Sequence, residues 1–178
     1  KNHTWPECEF LYNAGARDFG ENKVQEALEK LSQAPQDAHF HFIGTLQKNK
    51  VNKVGRNFTL IHSVDSIELA QKIAAYSPTP QPILLQVNIH HKHGFTPDSL
   101  HQVYEMLKQL PSLNIQGLMT MAPDTDDTAL IRSTFKTLRS LRDSLQLKEL
   151  SMGMSNDYEI AIDEGATIIR LGTLLFKK

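Results

Sequence analysis

The chain has 178 residues, enough for one domain with a sizeable apolar core, and 40% of them are hydrophobic. Its 19 Lys and Arg against 20 Asp and Glu leave a net charge of −1, so no global field draws it to nucleic acid or to an anionic membrane. No apolar run approaches the ~20 residues needed to span a bilayer, the opening Lys1-Asn2-His3-Thr4 lacks a leader pattern, and the single Cys8 forms no internal disulfide, which together point to the reducing cytoplasm.

Taken in order, helical and strand patterns alternate. Thr4-Trp5-Pro6-Glu7 is a helix start, with Thr4 as N-cap, and the helix predicted over 6–14 stops at Gly15. With no initiator Met ahead of this signal, we expect further sequence upstream of Lys1. A short strand at 18–20 leads to a helix over 22–31, with Val24, Ala27, Leu28 and Leu31 at helical spacing. Then come a strand at 39–43, a helix over 47–54 ended by Gly55, a strand at 59–62 and a helix over 65–76 capped by Asp65. The strand at 82–89 is almost continuously apolar, as expected when both faces are buried. A helix over 97–110, a strand at 115–121 and the longest helix, 127–145, precede a strand at 147–152, a helix over 157–164 and a strand at 166–171.

Seven strand signals, each following a helix with no hairpin dipeptide between them, imply parallel strands joined by helical crossovers. A doubly wound sheet and a (β/α)8 barrel both fit that order. Adding one strand upstream of Lys1 makes eight, which favours an α/β fold of the (β/α)8 TIM-barrel type, a single domain over 1–178 with an N-terminal truncation.

The last two strands run into turns of small residues, Ser151-Met152-Gly153-Met154-Ser155 and Ile169-Arg170-Leu171-Gly172-Thr173. Side by side, such turns offer several backbone N–H groups and two hydroxyls to one anion, and phosphate is the anion they suit. Arg170, two residues before its turn, lies within a cofactor's length, so the pattern points to a phosphorylated cofactor.

The strand ends carry F-G-E-N at 19–22, H-F-I-G-x-L-Q-x-N-K at 41–50, Q-V-N-I at 86–89, G-L-M at 117–119, S-M-G-M-S at 151–155 and R-x-G-T at 170–173. This ordered series resembles the pyridoxal-phosphate-binding homeostasis proteins, single barrels similar to the N-terminal domain of alanine racemase. In that family the cofactor lysine closes the first strand, 18 residues before the Phe of F-G-E-N, and Lys1 stands 18 before Phe19. The resemblance implies that Lys1 forms a Schiff base with pyridoxal 5′-phosphate, a derivative of vitamin B6. It implies that Ser155, Gly172 and Thr173 hold the phosphate, with Met154 contributing through its backbone. It also implies that Arg170 donates to the pyridine nitrogen, which keeps that nitrogen unprotonated and the ring a poor electron sink. Asn22 is expected at a ring substituent and Met119 packed near the ring. His41 reads either as pocket wall or as a satisfied core histidine.

His90-His91-Lys92-His93 has the look of a metal tract but reads as a surface loop, so no metal site is expected. Lys48, Lys50, Lys53 and Arg56 form a solvated helix face, Asp124, Asp126 and Asp127 cap the long helix, and Cys8 takes no catalytic role. Two function classes follow. One is a cytoplasmic, monomeric protein of pyridoxal phosphate homeostasis, holding the cofactor with little or no turnover and passing it to apoenzymes. The other is an amino-acid racemase, which needs a second proton donor opposite the lysine; with Lys178 directly after the last strand, the domain that supplies one is not expected. A barrel enzyme acting on a sugar phosphate would use the same terminal turns without Lys1.

Overall fold

A computed structural model of the chain describes residues 3–54, 57–90 and 93–176. Helix α1 (Trp5–Asn13) starts at Thr4, whose backbone N–H donates to Glu7 Oε2 at 2.7 Å in a capping box. There follow β1 (Asp18–Glu21), α2 (Val24–Leu31), β2 (His39–Phe42), α3 (Val51–Val54), β3 (Leu60–Val64), α4 (Ile67–Tyr76) and β4 (Gln81–Gln86). The second half comprises α5 (Leu100–Leu107), β5 (Leu113–Met119), α6 (Thr128–Ser144), β6 (Glu149–Met154), α7 (Tyr158–Asp163) and β7 (Ile168–Arg170).

All seven strands run parallel and lie in the sheet in chain order, forming a nearly closed barrel whose two edges are β1 and β7. The parallel α/β barrel architecture anticipated from the alternation is the one observed. The eighth strand expected before Lys1 falls outside the described residues.

Neighbouring residues in the middle strands go to opposite layers, the period of two that a strand imposes. Ile61, Ile83 and Leu85 face outward and pack with Phe40, Phe42, Leu118 and Leu150 against Ala70, Ile73, Leu100, Leu107, Phe135 and Leu138 of the helices. Leu60, Leu84 and Met119 form a separate, smaller cluster inside the barrel, with Met121 and Ile168 packed on it. This double burial explains why β4 reads as an almost continuously apolar run. Each large side chain so buried is worth roughly 1.5–3 kcal/mol.

Most boundaries shift by one to three residues from the sequence reading, and three of the differences have a plain local description. The strand predicted at 82–89 ends at Gln86, because Asn88 N–H turns to Phe95 O and Phe95 N–H returns to Gln86 O, both at 2.8 Å. The helix predicted over 47–54 is a 3₁₀ turn at Lys48–Lys50 leading into the short α3. Ser66, not Asp65, caps α4, its Oγ accepting Leu69 N–H at 3.4 Å. Gly55, Arg56, His91 and Lys92 lie outside the described residues. Among the described residues no helix is long and apolar enough to cross a membrane.

Candidate functional site

The C-terminal ends of the strands open into a cavity of about 1360 Å³. On one wall, β6 and β7 end side by side. Gly153 has φ +91°, and a Cβ there would stand 2.6 Å from Ala161 Cβ, so α7 packs directly on the strand end and the chain must turn. The turn brings Ser155 beneath the segment after β7, where its Oγ accepts Gly172 N–H at 3.3 Å and Leu174 N–H at 3.4 Å. A hydroxyl that accepts twice has its own proton free to point elsewhere. The space where a Gly172 Cβ would stand meets nothing within 4 Å.

Arg170, the last residue of β7, borders the same cavity. Its Nη1 donates to Ser151 Oγ at 2.7 Å and its Nη2 to Thr120 O at 2.9 Å, so one edge of the guanidinium is fixed. Burial lowers its pKa to about 10, opposed by nearby Asp157, and it stays charged at neutral pH. Asp157 itself is turned onto Met154 N–H at 2.5 Å. That amide, expected to face an anion, is therefore already engaged, and Met154 borders the cavity instead.

The opposite wall comes from β1 and β2. Gly44 follows β2, and a Cβ on it would collide with the Asn22 carbonyl, so only glycine lets this loop cross the end of β1 and hold Asn22 at the cavity. His41, in mid-β2, also lines the cavity, while Met119 is 2% exposed within the inner cluster. Thr173 lies exposed in the turn between Gly172 and Leu174. Lys1 lies outside the described residues.

Sequence reasoning brought Asn22, His41, Met154, Arg170 and Gly172 to one cavity but missed the polar contacts that join residues of its wall. His41 Nε2 meets Asp18 Oδ1 at 3.0 Å, and its Nδ1 meets His62 Nε2 at 3.0 Å. His62 Nδ1 is 2.7 Å from Ser151 Oγ, the atom Arg170 also holds. Burial pushes His62 well below the usual histidine range, with His41 and Arg170 adding to the effect. Burial also lowers His41, against the pull of Asp18. The signal available in the sequence was a lone polar ring in the apolar run Leu60-Ile61-His62. Near the mouth, Glu21 and Lys30 form a buried ion pair at 2.5 Å. Among the described residues no cluster of three or more metal-ligating side chains forms.

Residues 3–178 match the family model described as "Alanine racemase, N-terminal domain". A protein of Aquifex aeolicus named pyridoxal phosphate homeostasis protein is 44% identical over 179 residues, covering 93% of this chain and 78% of that relative. PipY of Synechococcus elongatus, solved with pyridoxal phosphate bound, superposes with a TM-score of 0.92 at 40% identity, covering 99% of this chain and 89% of that one. An alanine racemase of Clostridium difficile superposes with a TM-score of 0.79 at 16% identity over 96% of this chain and 47% of its own, a likeness of fold alone.

Proposed function

We propose, from the premise that this chain belongs to the pyridoxal phosphate homeostasis protein family, that it binds pyridoxal 5′-phosphate in the mouth of its barrel. The observation that carries the reading is the convergence of the Ser155 hydroxyl with the Gly172 and Leu174 amides beside open space, a few residues from a charged, anchored arginine.

The donor set suits that ligand. Two long amide bonds and an uncommitted hydroxyl proton are readily re-aimed at a phosphate oxygen, and Gly172 leaves room for close approach. Ser155, Gly172 and Thr173 hold the phosphate end, and Met154 lines the wall beside them. Arg170 has N–H groups to spare and donates to the pyridine nitrogen; a guanidinium cannot give that nitrogen its proton as a carboxylic acid can. Asn22 meets a ring substituent and His41 supports the wall. Lys1 is the proposed partner of the cofactor's aldehyde. When bound, the cofactor supplies an electrophilic carbonyl and an electron-accepting ring, and pairing with arginine weakens the second property.

On this reading the protein stores and delivers a reactive cofactor with little or no turnover. It acts as a monomer in the cytoplasm and passes the cofactor to apoenzymes. Adding pyridoxal 5′-phosphate should give a visible absorbance band, and borohydride trapping should leave one cofactor-derived mass on Lys1. Lys1→Ala should lose the band. Wild-type protein that stays colourless and gains no mass in excess cofactor would overturn the reading.

A further inference from the structure

Along the cavity wall, five strands contribute to one line of polar contacts. Asp18 of β1 meets His41 of β2, His41 meets His62 of β3, His62 meets Ser151 of β6, and Ser151 meets Arg170 of β7. Arg170 is anchored in turn to the carbonyl of Thr120, just after β5. The line runs from the first residue of β1, near the opposite end of the barrel, to the last residue of β7 at the mouth.

Donor and acceptor counting fixes every proton when both imidazoles are neutral. Arg170 only donates, so Ser151 Oγ accepts from it. A carboxylate only accepts, so His41 Nε2 carries the proton toward Asp18 and His41 Nδ1 is a bare acceptor. His62 must therefore donate from Nε2 to His41, which leaves its Nδ1 to accept the Ser151 hydroxyl proton. All four bonds point from the cationic end toward the anionic end. A second proton on His41 breaks this order. His41 Nδ1 then donates, His62 must accept on Nε2 and carry its own proton on Nδ1, and Ser151 accepts from both sides. The hydroxyl proton of Ser151 is released from His62.

We propose that Ser151 and His62 are positioning residues for Arg170, joined through His41 to Asp18 in a one-way hydrogen-bonded relay that reverses when His41 takes up a second proton. The relay stands on the contacts within the chain; only its effect on a cofactor rests on the reading that Arg170 meets the pyridine nitrogen. The charged and titratable groups facing His41 are Asp18 on β1, His62 on β3 and His39 on its own strand. His62 is faced by His41 and Arg170. Asp18 also lies 3.4 Å from His39 Nδ1, so its charge is shared at that end. Burial disfavours a charged imidazole at both relay histidines, which keeps the forward direction in force at neutral pH.

Two measurements test this. In cofactor-free protein with nitrogen-15-labelled histidine, His62 should carry its proton on Nε2 above neutral pH and shift it to Nδ1 at the same midpoint at which His41 titrates. A His62 that holds one tautomer while His41 titrates overturns the relay. In cofactor-loaded protein, the absorbance of bound pyridoxal phosphate should follow the same midpoint. Ser151→Ala should abolish that pH dependence and weaken cofactor retention by about tenfold, the size of one hydrogen bond to a charged group, and Ser151→Thr should restore both. Wild-type protein that takes up no cofactor defeats the functional reading and leaves the nitrogen-15 result to decide the relay. A Ser151→Ala variant that binds cofactor with the wild-type affinity and pH profile defeats the positioning role.

Discussion

Glu21 and Lys30 meet at 2.5 Å with side chains only 2% and 6% exposed, and Glu21 Oε2 has no hydrogen-bond partner among the described residues. Removing one member of such a pair strands the other charge in a poorly solvating place. Lys30→Met, which keeps the length of the side chain, should destabilise the fold by about 3–5 kcal/mol, read as a lower urea midpoint. Glu21→Gln with Lys30→Met should recover part of the loss, since no net charge then remains buried. The two relay histidines bear on stability with the opposite economy. Both are lowered from the ordinary value of 6.5 by burial, so below that pH the unfolded chain takes protons that the folded chain refuses. Their contribution is fully present above about pH 6.5 and is lost as the pH falls from there toward the lowered folded values. The urea midpoint should therefore drop between pH 7.5 and 5.5, and His62→Asn should flatten that slope.

At the level of elements, α6 shows how local chemistry sets a boundary. Asp127 Oδ1 accepts the N–H groups of both Ala129 and Leu130 at 3.0 Å, capping the longest helix of the chain. Asp127→Ala should cost about 1 kcal/mol, visible as a lower thermal midpoint, while Asp126→Ala changes little. Signals of this kind are local, which is why the alternation, the cap at Thr4 and the long helix were all legible in the sequence. The cap of α4 was legible only to within a residue, because Asp65 and Ser66 are both good caps and the backbone geometry decides between them. The convergence of the segments after β6 and β7 was legible because Ser155 and Gly172-Thr173 close two adjacent strands with small residues. The relay was not: His62 and Ser151 are 89 residues apart, and nothing local to either says that the barrel brings them within 2.7 Å. Nor does a sequence reveal that Asp157 engages the Met154 amide, which depends on how α7 leans on β6.

Across the molecule, the strands are joined by backbone hydrogen bonds from β1 through β7, but the two edge strands share no ladder among the described residues. Side chains meet there instead. The Phe176 ring stacks on His3 at 3.8 Å and meets Phe10 of α1 edge-on at 5.7 Å. Each such ring contact is worth about 0.5–1.5 kcal/mol beyond its burial, far less than a strand ladder and easily parted. Amides of α1 and of the segment after β7 should therefore exchange with solvent deuterium sooner than those of β3 to β5, which pulse-labelling followed by mass spectrometry would resolve. This seam of the barrel thus begins two residues beyond Leu174, whose amide bonds Ser155 Oγ in the proposed anion cradle. A phosphate seated there would tighten a clasp as well as fill a pocket, and deuterium uptake along α1 should slow when the ligand is bound.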